Sequence, residues 1–248
     1  MLERMQLMSV WEVFGLFLLA NVGIFLCSVT LCWVLGRWFS RKRLFMRWEP
    51  LAKGEIAVAL GAIFLNSAIS VLGWYIWMNE GITLVQGGGW QALWECGLMI
   101  LAMDFAMYWF HRWAHHPWIY RLMHSFHHRH EATNPISLFV LHPVEVLGFG
   151  GMMIVFLMLC PVSFTGLMAY LVINILWGTL GHSGVEPFPA WMNQYRLLQW
   201  IGTSTFHAEH HEHPQYNFGF YTLLWDRAFG TLDPEYDTRF RTAAQGEG

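Results

Sequence analysis

Eight of the thirteen histidines in this sequence fall into three short groups: His111-Arg-Trp-Ala-His115, His124-Ser-Phe-His127-His128 and His207-Ala-Glu-His210-His211. Residues three and four apart on a helix share a side. The second and third groups repeat one spacing, i, i+3, i+4, which places all three imidazoles toward one side of a helix. One such triplet is weak evidence, because surface histidines cluster by chance; two identical triplets with an HxxxH pair are a pattern random placement rarely produces. Neutral imidazole is a borderline ligand suited to Fe, Zn, Cu and Ni. Eight ligands are too many for one tetrahedral zinc and suit two metals. An all-nitrogen set leaves the metals cationic and can keep positions open for O2. Two redox-active ions could then split O2 and attack an unactivated C–H bond, which zinc, having no redox chemistry, could not do.

Other polar residues belong to the same neighbourhood. Asp104 and Tyr108 precede His111 by seven and three residues and share its helix face. An intramembrane carboxylate is costly and suggests a function. Asp104 is therefore expected to accept the second ring N–H of a ligand histidine, with Tyr108 beside it as a candidate catalytic group. His182, where the last apolar segment ends, is a candidate ninth ligand. His142, before Pro143 and Glu145, is read as a local hydrogen-bonding residue rather than a ligand. His116, His130 and His213 are read as supporting or solvent-exposed. Trp109, Trp113 and Phe126, with Tyr108, either anchor the chain at the membrane interface or line a substrate path. A zinc hydrolase would instead need a carboxylate base, for which Glu209 or Glu212 stands nearest the third group. A metal-transport protein would hold its site near the bilayer midplane, whereas these groups lie at span ends and in a polar stretch.

The elements that must carry these residues are those of a membrane protein. Hydrophobic residues make up 55% of the chain and charged residues 12%, against about 25% charged in an average soluble domain. A bilayer core needs about 20 apolar residues per helix. Spans are expected at Val10–Trp38, Ile56–Met78 and Trp90–Ala114. The apolar segment Val144–Leu180, interrupted by Cys160-Pro161, is long enough for two short spans or a re-entrant pair. No cleavable signal peptide is expected. The four cysteines form no CxxC pair and are expected to be reduced thiols. No basic run suggests nucleic-acid binding. Of the fourteen Lys and Arg, six lie between the first two spans and seven after the third or after Leu180; Arg4 alone lies elsewhere. If 144–180 leaves one face and returns to it, those thirteen charges and all three histidine groups share a face. The positive-inside rule makes that face cytoplasmic. The expected fold is an all-α integral-membrane bundle with a histidine-rich metal site at its cytosolic face. Three parts are expected: helices and a basic loop in 1–89, a catalytic domain in 90–232, and a polar tail in 233–248.

The stretch from Asp104 to Thr231 resembles the fatty acid hydroxylase/sterol desaturase superfamily of membrane-bound di-iron enzymes. Its elements are DFAMYWFHRWAH (104–115), HSFHH (124–128), HPVE (142–145), His182, HAEHHEHPQYNFG (207–219) and LWDRAFGT (224–231). The resemblance implies two iron ions held by His111, His115, His124, His127, His128, His207, His210 and His211, with His182 as a further ligand. Zinc would occupy such a site readily on purification. It implies O2 as co-substrate and a bilayer lipid (sterol, fatty acyl or related) that is hydroxylated or desaturated. Asn217, Trp225 and Asp226 match motif positions read as structural. No fused cytochrome, ferredoxin or flavin motif is visible, so a separate electron-donor protein is implied.

Overall fold

The structure is a computed structural model that describes residues 2–246. After a four-residue turn of helix, α1 (Leu2–Met5), come α2 (Val10–Trp38), α3 (Glu55–Met78), α4 (Trp90–Ala114), α5 (Pro117–Leu122), α6 (Pro143–Leu159) and α7 (Phe164–Gly181). Helices α2, α3, α4 and α7 have the length and apolar composition to cross a membrane. The apolar α6 has 17 residues, about 25 Å at 1.5 Å per residue.

Local chemistry sets where these helices start. Ser9 accepts the N–H of Glu12 while Glu12 reaches back to the Ser9 N–H, a capping box that opens α2. Pro143 takes the first position of α6, and Glu145 closes onto the His142 N–H at 2.9 Å. Ser163 caps α7 through the Gly166 N–H.

Two sets of contacts show which ends lie together. At one end, the Trp74 indole near the close of α3 donates to Met5 before α2. At the same end, β1 (Leu84–Val85) pairs in parallel with β2 (Val162–Ser163), joining the α3–α4 connection to the α6–α7 turn. At the other end, Glu55 opening α3 meets His130 beyond α4, and Glu145 opening α6 meets His124. The five long helices therefore alternate in direction. The α6–α7 pair leaves the histidine end, turns at Cys160–Ser163 level with the α3–α4 connection, and returns. That arrangement meets the even-crossing condition and gathers all three histidine groups at one end.

Apolar side chains such as Leu19, Leu60, Phe64 and Trp94 point outward, as lipid-facing surface does. Inside, polar pairs join the helices: Asn21 Nδ2 donates to Ser67 Oγ at 3.3 Å, and the Ser28 and Thr179 hydroxyls meet at 2.6 Å. A Cβ on Gly148 would lie 2.3 Å from the Phe110 ring, so α6 comes as near to α4 as glycine alone permits.

Beyond Gly181 the chain forms a polar layer containing α8 (Ser204–Glu212), α9 (Leu224–Phe229) and α10 (Tyr236–Gln245). The described part of the polar tail is mostly helix, and Tyr236, Phe240 and Ala244 bury themselves against Phe206, Leu223 and Met192. Their spacing, i, i+4, i+8, gives one apolar stripe that fastens α10 to the back of α8.

Candidate metal centre

The histidines converge into two adjoining groups. His111, His115, His124, His128 and His210 form one; His127, His182, His207 and His211 form the other. Within each, one ring nitrogen per residue lies within 4.8 Å of all the others. His182 thus joins the eight histidines of the three sequence groups.

Each triplet is divided between the groups. His124 and His128 face the five-histidine group while His127 faces the other. In α8 the pattern is reversed: His207 and His211 face the four-histidine group and His210 crosses over. The expectation that each triplet points one way needs refinement. On a helix of 3.6 residues per turn, positions i+3 and i+4 lie about 100° apart, so neighbouring histidines can serve two foci.

The hydrogen bonds fix the tautomers of five rings. His111 Nδ1 donates to the Phe218 carbonyl at 3.0 Å, His210 Nδ1 to the Tyr216 carbonyl at 2.6 Å, and His211 Nδ1 to the His130 carbonyl at 3.1 Å. His124 Nδ1 faces the Glu145 carboxylate at 2.5 Å. The Ser137 hydroxyl donates to the Asn134 carbonyl, so it accepts from His182 Nδ1 at 2.7 Å. With each proton on Nδ1, each Nε2 carries a bare lone pair. Yet His111 Nε2 and His124 Nε2 stand 3.1 Å apart. His210 Nε2 faces both His115 Nε2 (3.1 Å) and His128 Nε2 (3.0 Å) and has no proton to give either. His211 Nε2 is buried with no partner. The facing lone pairs of His111 and His124 repel unless a cation lies between them, and a cation would likewise serve the nitrogens gathered at His210. The donor set fits a pair of metal ions, and the carbonyl and carboxylate partners are of the kind that orient imidazole ligands.

Burial keeps these rings neutral, the state a ligand needs. It pushes His124 and His182 down to about 3, and lowers His127, His207, His210 and His211 well below the usual imidazole range, neighbouring imidazoles adding to the effect. His130 behaves differently. Burial lowers its pKa, but Glu49 and Glu55, each 2.5 Å from a ring nitrogen, outweigh that and raise it. It bridges the two carboxylates, and its carbonyl orients His211.

Asp104 and Tyr108 do not take the places expected of them. Asp104 is fully buried, but its carboxylate accepts the N–H groups of Phe220 and Tyr221 and the Thr222 hydroxyl, not an imidazole. It pins the 219–222 loop to α4. The Tyr108 hydroxyl meets Thr231 Oγ1 at 3.0 Å and accepts from Arg112 at 3.0 Å. The role expected of Asp104 falls to Glu145. Glu186 was likewise unanticipated: it is buried and holds the start of α8 through the Thr205 N–H and hydroxyl. His142 caps α6 through Val144 N–H, and His213 lies 3.7 Å from Asp233. Asp226 accepts the Phe218 and Gly219 N–H groups, while Asn217, at φ 61°, bridges the Phe206 carbonyl and the Asp233 N–H. Trp225 packs edge-on against Phe105. Glu209 and Glu212, the carboxylates a hydrolase would need, face Arg239 on the far side of α8.

Close packing tightens the four-histidine group. A Cβ on Gly181 would lie 3.0 Å from the His207 ring, so the end of α7 lies directly on that imidazole.

Comparison with known proteins gives a consistent picture. The profile of the Fatty acid hydroxylase family matches residues 96–231, more than half of the chain. The chain is 29% identical over 154 residues to a Delta(7)-sterol 5(6)-desaturase of Leptosphaeria maculans, covering 62% of this chain and 41% of the relative. It is 29% identical over 177 residues to the very-long-chain aldehyde decarbonylase GL1-5 of Oryza sativa subsp. indica, covering 66% of this chain and 28% of the relative. The matched regions thus span less than half the length of these relatives. No solved structure matches.

Proposed function

Because the chain belongs to the fatty acid hydroxylase family, we propose that it is an integral-membrane oxidoreductase that hydroxylates or desaturates a lipid, with two iron ions held by the five- and four-histidine groups and O2 as co-substrate. The observation that carries this reading is the convergence of nine imidazoles into two adjoining groups, with one ring nitrogen of each close to all the others of its group. The names of the relatives, a sterol desaturase and an aldehyde decarbonylase, support a lipid substrate.

When bound, the irons supply the O2 chemistry that protein side chains lack. Hydroxylation converts a C–H bond, O2, two electrons and two protons into an alcohol and water. Desaturation removes two hydrogens from the substrate and yields two waters. A separate donor protein supplies the electrons. The protein's part is to fix the ligands and exclude water. Glu145 and the carbonyls of Tyr216, Phe218 and His130 hold protons on Nδ1, and burial keeps the rings uncharged. Residues 90–232 make the catalytic unit, and the helices of 1–89 support it within the bilayer. Thirteen of the fourteen Lys and Arg lie toward the histidine end, which favours the cytoplasmic face for the site.

The test is the iron content and Mössbauer spectrum of the chain expressed with iron-57 and purified anaerobically in detergent. About two irons per chain that are oxidised together by O2 are expected. Stoichiometric zinc with no iron and no response to oxygen, even after expression in iron-rich medium, would overturn the reading.

A further inference from the structure

A second feature adjoins the five-histidine group. A cleft of about 810 Å³ is walled by Trp109, Trp113, Tyr120, Phe218 and His115. That volume lies in the range of about 300–1,000 Å³ typical of small-molecule sites. Two guanidinium groups, Arg112 and Arg121, also line it, and no Asp or Glu does. Among the described residues neither arginine forms an ion pair. Arg112 is nonetheless held in place: it donates to the Tyr108 hydroxyl at 3.0 Å and lies 5.5 Å over the Trp109 ring. A guanidinium has five N–H donors, and Arg112, which is exposed, keeps several of them free to meet a ligand in place of water. The inner wall belongs to the histidine group itself. His115 Nε2 is 3.1 Å from His210 Nε2, and the Phe218 ring packs against His111, His115 and His210.

Two cations without counter-ions beside an aromatic wall suit a ligand with an anionic head and an apolar body. We infer that this cleft seats the lipid substrate, and that the substrate is an anionic amphiphile whose carboxylate or phosphate head lies on Arg112 and Arg121 while its apolar part follows Trp109, Trp113 and Phe218 toward His115. The inference rests on the lipid-oxidation reading above and narrows its substrate class.

Binding tests it. The full chain in phosphatidylcholine nanodiscs is titrated with radiolabelled palmitate and with hexadecanol, which has the same chain but no charge. Palmitate is expected to bind about tenfold more tightly. R121Q is expected to bring that ratio close to one, and R121K to keep part of it. R112Q should act in the same direction, but Arg112 also contacts Tyr108, so the exposed Arg121 carries the test. Replacing phosphatidylcholine with phosphatidylglycerol separates the two sources of anion. Displacement of palmitate identifies a bilayer phosphate headgroup as the occupant, and unchanged palmitate binding identifies a free carboxylate. Equal binding of palmitate and hexadecanol, no binding of either, or an R121Q ratio equal to that of the unaltered chain would overturn the inference. Iron measured in the same samples separates the two readings. Full iron loading without anion preference removes this inference alone, whereas an anion preference without iron overturns the oxidation reading and with it the ligand's role as substrate, leaving only an anion-binding cleft.

Discussion

The triplets His124–His127–His128 and His207–His210–His211 have one spacing and two backbones. The second lies on the regular helix α8; the first lies on a tight 3-10 segment, His124–Arg129, with His128 off helical dihedrals at φ −84°, ψ 21°. Both nevertheless divide their imidazoles between the same two groups, with opposite assignments. The spacing therefore encodes reach toward two foci, and the backbone is free to differ so long as the middle histidine diverges from the outer pair. Because each triplet straddles both groups, neither group can move without the other.

Exchanging the crossed histidines for alanine tests that linkage most severely. H127A removes a member of the four-histidine group from the 3-10 segment, and H210A removes a member of the five-histidine group from α8. Both variants should lose turnover entirely, with metal content falling from about two ions per chain toward one. Full metal loading with unchanged turnover in either would break the assignment. A gentler intervention acts on support rather than ligands. E145A frees His124 Nδ1 on the 3-10 side and should weaken metal binding about 10–100-fold, with E145Q milder, as measured by competition with a chelator. An effect no larger than that of a surface substitution would show that the tight segment needs no such anchor.

Acidification tests both triplets together in metal-free protein. His124 and His182 are held down to about 3 in the folded chain, against about 6.5 when unfolded. Between those values the unfolded chain takes up protons that the folded one refuses. Stability is thus complete above pH 6.5 and declines as the pH falls toward 3, by up to about 1.4 kcal/mol per pH unit for each such imidazole. Thermal melts of chelated protein at pH 7.5, 6 and 5 should fall in that order; a flat series would mean the rings are not buried and neutral. The smallest effect is expected from G181A, which presses on His207. It should weaken metal binding several-fold in the four-histidine group while the other group keeps its affinity. Equal weakening of both would show that strain passes along α8.

The nine histidines and the long helices were legible in the sequence because both signals are local. The spans Val10–Trp38 and Trp90–Ala114 have the expected bounds, and α3 begins one residue before the expected Ile56. What escaped depends on partners distant in the chain. Asp104 shares a helix face with His111, but seven residues are about 10 Å of rise, and the 219–222 loop folds into that gap. His130 finds Glu49 and Glu55 across 81 and 75 residues, a pairing that no local spacing announces. The stripe Tyr236, Phe240, Ala244 was present to be read, but the polar composition around it concealed a helix that packs.

That last helix also bears on timing. The face of α8 that carries His207, His210 and His211 is backed by residues that follow it in the chain, with Tyr236 and Phe240 closing behind Phe206. The membrane helices can be inserted, and His111 through His182 brought together, before α10 has been synthesised. The final three imidazoles are secured only afterwards. The membrane scaffold is thus complete in the chain before the residues that close the back of the histidine pocket.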